Sequence, residues 1–376
     1  MEQKKVAVIG IGSIGSMVLW QLAKKGIQAV GFEQYGIAHD RSAAGGESRM
    51  FRTAYMEGAE YVPMLKKSRL LWEELEEETG YNLLTLNGGL MIGPKDIDEI
   101  KNVIRSIKEF EIDHEILNVE EAKKHFPQHV LREDEIMVLD KEAGYMRPEL
   151  AVFAAAERAE SLGAIIHRHT TVEQIEELND KVRIVANGEN YEFDQVIVTA
   201  GPWTTRIFPE LKENLTPKKL VMTWYPTSKI ENYQPDKFPV FARMTEGITF
   251  FGIPSLEGTM VKVASVDTFG NVEVPDKLIR DIKLSELKNI KEAVSTYLPE
   301  LRPDPVRISV HMDGYTTDGH AVVGLVPGLK NTFIMGGYSG HGFKLAPVMG
   351  KIGLDLVEQG DTEFDISHLR PGRFFS

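Results

Sequence analysis

An α/β fold in two domains is predicted by three observations. The N-terminal apolar run opens onto a glycine turn and a helix. A second apolar run, Val196 to Val198, ends on Ala200, Gly201 and Pro202. Between residues 216 and 265 the composition shifts to strand-rich segments with paired aromatics, Trp224-Tyr225 and Phe250-Phe251. The first two suit strands of a parallel sheet covered on both faces, and the third suits a second α+β domain built on an antiparallel sheet. A chain of 376 residues has room for two such cores.

The opening stretch, Val6 to Glu33, reads as strand, turn, helix and strand. Gly10, Gly12 and Gly15 have the G-x-G-x-x-G spacing, and Glu33 closes the second strand about 20 residues on. Gly10 allows the tight turn, Gly12 lets the backbone approach a pyrophosphate, and Gly15 lets helix and strand pack closely. The helix N-terminus adds N–H groups and the positive end of its dipole. A βαβ unit can carry glycines with no ligand, but Glu33 in the ribose-binding position favours a Rossmann-like dinucleotide site. An acid there suits a free 2′-hydroxyl, which favours FAD or NAD over NADP.

Composition narrows the function. The net charge of −13, with no Lys/Arg block, argues against a nucleic-acid partner. The chain has no cysteine, which removes disulfides, thiolate metal sites, cysteine nucleophiles and cysteinyl cofactor links. Lys4 and Lys5 before an uncharged run resemble the start of a signal peptide. Glycines at dinucleotide spacing, Gln21 and the lack of a small-residue cleavage pattern weigh against export. No segment approaches the roughly 18 apolar residues of a membrane span. A cytoplasmic protein with no membrane partner is expected.

Along the chain, Ile14, Val18 and Leu22 set the face of the first helix, which Gly26 ends. Residues 34 to 60 form a long connection carrying Gly45, Gly46, Ser48, Arg49 and Arg52. Loops of this length inside a compact domain are more often functional than idle. Arg49 and Arg52 would share a face on a helical turn, or be two solvated arginines. An amphipathic helix is expected from Tyr61 to Gly80, its acidic run Glu73 to Glu78 reading as a solvated face. Leu83 to Ile92 reads as a strand kinked at Gly88-Gly89. His125 and His129 are four apart, but Pro127 lies between them and no carboxylate completes a metal set, so none is expected.

Glu149 to Gly163 reads as a helix, and IIHRHTTVEQI as a strand with His167 and His169 on its surface. Asn179 to Phe193 reads as a hairpin turned at Asn187-Gly188. Lys262 interrupts the apolar strand MVKVASV, where a lysine usually occupies the solvent face of a half-buried strand. Ser285 to Leu298 is expected to be helical and Arg307 to Met312 a strand. Last, a short strand meets Gly336-Gly337 and Gly340-His341-Gly342. A helix follows with Leu345, Val348, Met349, Ile352 and Leu356 on one face and Gly360 as its cap. Two glycine-rich turns, one near each end of the chain, suggest one large cofactor between them.

At this point the chain resembles the D-amino-acid-oxidase-like flavoproteins, and within them the monomeric sarcosine oxidase and N-methyltryptophan oxidase family. The likeness rests on GIGSIG with Glu33, then GGESRMFRTAYMEGAEYVP, VIVTAGPW and GGYSGHGFKLAP. It implies FAD and a soluble monomer that oxidises the C–N bond of a secondary, N-methyl or N-alkyl, amino acid. Hydride passes to flavin N5, oxygen becomes hydrogen peroxide, and the imine is hydrolysed to an amine and an aldehyde or keto acid. Residues 1–82, 144–215 and 315–376 would form a discontinuous FAD-binding domain, and 83–143 with 216–314 the substrate-binding domain.

The same resemblance assigns roles. Arg52 and Lys344 would hold the substrate carboxylate, with Phe251 beside the substrate. Arg49 would lie against the flavin ring, and Lys262 would be the lysine near N5 that promotes the reaction with oxygen. Contacts to the cofactor would come from Gly10, Gly12, Ser13, Ile14, Gly15, Glu33, Arg41, Ser48 and Arg49 in the first part. Ala200, Gly201, Trp203, Gly337, Gly340, His341, Gly342, Phe343 and Lys344 would supply the rest. A helix N-terminus at Gly342–Lys344 would stabilise charge on the reduced ring.

Three departures from the family pattern stand out. His311 stands where the family has a cofactor-linking cysteine, so non-covalent FAD is expected. Phe251 and Val266 replace a tyrosine and a histidine of the sarcosine site. Asp313 occupies a further aromatic position, with Tyr315 as its rival. The carboxylate anchor is kept and the side-chain pocket altered, which points away from sarcosine itself. Alternatives are an oxidase of glycated (fructosyl) amino acids and an FAD amino-acid dehydrogenase that uses another acceptor.

Overall fold

The computed structural model describes residues 4–375. Its first layer is a six-stranded sheet in the order Val322–Leu325, Thr332–Gly336, Gln195–Val198, Lys5–Ile9, Gln28–Phe32, Ile165–His167. All neighbours pair in parallel except the edge strand Val322–Leu325. The period of two divides its side chains between two cores. Val6 and Val8 face the helices Ser13–Lys24, Pro148–Ser161 and Ala346–Gln359, while Ala7 and Ile9 face a three-stranded meander on the other side. That meander is Val172–Glu177, Val182–Ala186 and Glu189–Phe193. The stretch read as one strand from Ile165 therefore splits. Ile165–His167 pairs with Gln28–Phe32 in the large sheet, and the chain crosses to the meander after His169 adopts a left-handed φ of 54°. His167 stacks on Phe32 at 5.1 Å rather than facing open solvent.

The second layer is an eight-stranded sheet. Its order is Arg307–Thr316, Leu215–Tyr225, Val261–Ser265, Thr249–Ile253, Val240–Met244, Gly89–Pro94, Glu135–Asp140, His114–Leu117. Every neighbouring pair is antiparallel except Val240–Met244 with Gly89–Pro94. One face packs on the helices Lys288–Tyr297 and Val119–His125 through Phe250, Val261 and Val263. The opposite face carries Leu220, Met222, Trp224 and Ala264, with Phe251 and Tyr315 packed against them. A third, small sheet consists of Arg49–Phe51, Gly144–Met146 and Leu84–Thr85. Gly144 approaches its neighbour closely: a Cβ there would stand 1.9 Å from the Thr85 carbonyl oxygen.

Three local expectations change in the structure. Arg49 and Arg52 lie in and just after a strand, not on a helical turn, so their side chains diverge. The acidic run at the end of the helix Val62–Thr79 is partly turned inward. Glu76 accepts the amides of Leu83 and Leu84, and Glu78 bonds Trp20, Lys24 and Arg158. Lys262 is 1% exposed, because the loop carrying Gly46 and Ser48 covers its face of the sheet. Among the described residues no helix is long and apolar enough to cross a membrane, and no group of three acidic or histidine side chains could hold a metal ion.

Candidate active site

A cleft with a cavity volume of about 430 Å³, partly open to solvent, is lined by residues of both large sheets. Its first end lies at the carboxyl edge of the parallel strands. There Gly10 has φ +88°, and a Cβ on it would meet the Thr199 carbonyl oxygen at 2.8 Å. A Cβ on Gly15 would lie 1.9 Å from the Gly10 carbonyl oxygen, whereas one on Gly12 would meet nothing within 4 Å. Gly10 and Gly15 therefore close the turn, and Gly12 opens it toward the cleft ahead of the helix Ser13–Lys24. Glu33 lines the same end, its carboxylate accepting the amides of Ile11 at 2.9 Å and Tyr35 at 2.8 Å. Ser13, Ile14, Ala200, Gly201 and Trp203 also line it.

This shape fits the long, anionic FAD: open backbone at a helix N-terminus for the pyrophosphate, an acid for the ribose, and room beyond for the ring system. The C-terminal turn closes the far end through Gly340, His341, Gly342, Phe343 and Lys344. Tyr338 lines the cleft there, and its buried hydroxyl has no hydrogen-bond partner among the described residues. Gly15, Arg41, Ser48, Gly337 and Lys262 do not line the cleft. Gly15 packs inside the turn, and Arg41 stacks on Tyr35 at 4.8 Å. Gly337, at φ +70°, supports the C-terminal turn against Thr316 and Leu215.

Lys262 and Ser48 meet beneath the loop that precedes Arg49. The Lys262 ammonium donates to the carbonyls of Gly46 at 2.8 Å and Ser48 at 2.6 Å, and lies 5.6 Å from the Trp224 ring and 5.8 Å from that of Phe251. Arg49 donates to the carbonyls of Ser48, Ala43 and Gly45. Burial pushes the Lys262 pKa well down and the Arg49 charge adds to that; Glu149 and Glu47 oppose it. Glu149, at the start of the helix Pro148–Ser161, accepts the amides of Gly46 at 2.6 Å and Glu47 at 2.9 Å. It thereby holds the loop from the other side.

His311 also packs under this loop, away from the cleft lining. Its Nδ1–H must donate to the Asp40 carbonyl oxygen at 3.0 Å, since that oxygen can only accept, and Nε2 then accepts the Ser309 hydroxyl. Burial, with Arg49 beside it, lowers its pKa to about 3. Both ring nitrogens are thus occupied in a neutral imidazole, which agrees with non-covalent FAD.

The substrate end gathers residues from three segments. Arg52 pairs with Glu57, and Lys344 donates to the Tyr55 hydroxyl at 3.3 Å and the His341 carbonyl at 2.9 Å. Burial drives the Lys344 pKa down to about 7, Arg52 adds to the fall, and Glu57 resists it. Burial pushes the Glu57 carboxyl up, but Arg52, Lys344 and His341 outweigh that and hold it below the usual value. The trio of Arg52, Lys344 and Glu57 carries one net positive charge when Lys344 is protonated. Phe251, Leu220, Met222, Ala242 and the half-exposed Val266 give the same cleft an apolar lining.

Both Asp313 and Tyr315 line the cleft. Asp313 accepts the amides of Gly314 at 2.8 Å and Gly340 at 3.0 Å, and burial raises its pKa to about 6. Several residues here escape sequence reasoning. Glu57, Tyr55 and Glu149 fall inside segments that signal importance only as a whole. Asp140, which accepts the amides of Thr53 and Ala54 at 2.9 Å, anchors the turn after Arg52 from a distant strand. No local pattern announces that partnership.

A dinucleotide cleft that also holds buried Arg52, Lys344 and Glu57 beside apolar lining residues fits a flavin-dependent oxidoreductase. The comparisons agree: residues 5–356 match the family of FAD dependent oxidoreductases (DAO), and the chain belongs to it. It is 31% identical to the monomeric sarcosine oxidase of Streptomyces avermitilis over 373 residues, covering 98% of this chain and 97% of that one. It is 25% identical to the N-methyl-L-tryptophan oxidase of Citrobacter koseri, with 98% of each chain covered. Among solved structures it is similar in fold to NikD, an unusual amino acid oxidase essential for nikkomycin biosynthesis. That likeness has a TM-score of 0.85 at 20% identity, over 99% of this chain and 98% of the other. The protein is an FAD-dependent oxidase of CH–NH bonds in amino-acid or amine substrates, with oxygen as acceptor.

Proposed function

We propose that the substrate is a secondary amino acid, N-methyl or N-alkyl, bound by its carboxylate between Arg52 and Lys344. The observation that carries this reading is the charge of the buried corner. With Lys344 protonated, Arg52, Lys344 and Glu57 leave one positive charge unmatched, which one carboxylate neutralises. Bidentate contact from the planar guanidinium orients the carboxylate, and the ammonium adds a point charge. This fixes the α-carbon and its nitrogen relative to the cofactor end of the cleft. The FAD, when bound, supplies the two-electron acceptor.

The remaining residues set conditions for that chemistry. Phe251, Leu220, Met222, Ala242 and Val266 exclude water from the carbon being oxidised. Such a lining favours an alkyl substituent over the hydroxyl-rich group of a glycated amino acid. Arg49 would supply positive charge at the cleft lining, and Lys262, behind the loop of Gly46 and Ser48, would add to it when protonated, which supports oxygen rather than another acceptor. In this reading residues 1–82, 144–215 and 315–376 hold the cofactor, and 83–143 with 216–314 form the substrate side.

A screen of N-methyl and N-alkyl amino acids against the holoenzyme under nitrogen tests the reading. Loss of the visible flavin absorbance should follow addition of a secondary amino acid and be much slower with the matching amine lacking a carboxylate. Equal rates for the two would overturn the carboxylate anchor.

A further inference from the structure

We propose that Tyr55 and His341 are positioning residues that keep Lys344 protonated and aimed at the substrate carboxylate, an inference that rests on the carboxylate reading of the site. Lys344 cannot reach water freely: it is 6% exposed, and its own carbonyl is fixed by the Ser68 hydroxyl at 2.6 Å and the Trp72 indole at 3.3 Å. Its ammonium has three hydrogens. One goes to the His341 carbonyl at 2.9 Å and one to the Tyr55 oxygen at 3.3 Å, which leaves the third for a ligand.

The direction of every hydrogen bond in this chain follows from one carbonyl. His341 Nε2 faces the Gly319 oxygen at 3.0 Å, which can only accept, so Nε2 carries the proton. His341 Nδ1 is then an acceptor, and it takes the Tyr55 hydroxyl proton at 2.8 Å. With its proton committed, the Tyr55 oxygen presents lone pairs to Lys344. His341 thus acts twice, directly through its carbonyl and indirectly by orienting the tyrosine. The Tyr55 ring also lies 5.1 Å from the Lys344 ammonium and 5.0 Å from the Arg52 guanidinium, spacing the two cations.

The same arrangement bears on protonation. Arg52 disfavours charge on Lys344 and Glu57 favours it; Glu60 and Tyr61 act on Tyr55 from the adjoining turn. Burial keeps His341 neutral, with a pKa lowered to about 4, so its acceptor role persists across the neutral range. An acceptor aimed at a buried ammonium favours the charged form. Removing it lowers the pH at which Lys344 loses its proton.

The experiment measures the dissociation constant of propionate, a carboxylate without an oxidisable nitrogen, on the FAD-loaded enzyme by flavin absorbance from pH 6 to 9. Wild-type affinity should weaken above about pH 7. In Tyr55→Phe, which keeps the ring, that midpoint should move down by about one pH unit, giving roughly tenfold weaker binding above it. In Lys344→Arg the alkaline limb should vanish. His341→Gln keeps the backbone contact but not the imidazole that orients Tyr55, and should shift the midpoint the same way; it serves if Tyr55→Phe does not fold. A wild-type limb left unmoved in the folded variants would overturn the positioning roles. Failure of wild type to bind propionate at any pH would overturn the carboxylate reading beneath them.

Discussion

Lys262 is flanked by Val261 and Val263, and only one of the two sheet faces can take its ammonium. The helix Lys288–Tyr297 covers the face of the valines, and the loop carrying Gly46 and Ser48 covers the other. Alternation along the strand places a lysine on a face but does not say which face another segment will cover. That is why its burial was not legible, although the apolar run around it was. Burial and Arg49 disfavour its charged form, and Glu149 and Glu47 offset part of that, while the carbonyls of Gly46 and Ser48 accept from its amine. Replacing Lys262 with Met should slow the oxygen half of the reaction by roughly 10²–10³-fold while leaving anaerobic reduction by substrate nearly unchanged. Rapid mixing of each half separately checks this, and equal slowing of both halves contradicts it. Glu57 was illegible for a related reason: its pairing with Arg52 depends on the path of the turn between them, which Asp140 sets from a distant strand.

At the level of elements, the glycine turns were the most readable features because their spacing reports a backbone requirement. Gly15 sits so close to the Gly10 carbonyl that any side chain there must displace the turn. Gly15→Ala should destabilise the turn by about 1–3 kcal/mol and leave the purified protein short of FAD. The ratio of flavin to protein absorbance measures this, and a full complement of flavin would contradict it. The connection from residue 34 to 60 was legible as important but not as a shape. Arginines three apart suggested one helical face, yet the strand Arg49–Phe51 sends Arg49 under the loop and Arg52 toward Glu57. Extended pairing with Gly144–Met146 overrides the local spacing.

Across the whole molecule, three buried histidines act together on stability. Burial lowers the pKa values of His129, His311 and His341 to about 3, about 3 and about 4. The unfolded chain takes up their protons below about pH 6.5 while the folded one does not. Stability is therefore lost as pH falls from about 6.5 toward 3, at roughly 1.4 kcal/mol per pH unit for each group. His129 stacks on Phe238 at 5.1 Å, and neither of its ring nitrogens has a partner among the described residues. His129→Phe should flatten the acid limb of the stability profile from urea denaturation, a gain of about 2 kcal/mol at pH 5. An unchanged slope would show that this histidine is not buried neutral.

The two-layer architecture itself was readable, because apolar runs and turn residues report what a strand or helix must bury. What the chain could not announce was which segments meet across the cleft, since Arg52, Lys344 and Phe251 lie far apart in sequence and share only the cleft they line. The most direct test of their meeting is peroxide production from an N-methyl amino acid and from its carboxamide, in wild type and in Arg52→Ala. Wild type should prefer the acid by at least about a hundredfold in kcat/KM, and Arg52→Ala should lose most of that preference, as expected when a charge-assisted contact of about 3 kcal/mol is removed. A wild-type enzyme that oxidises acid and amide alike, or a variant that keeps the full preference, would contradict the account.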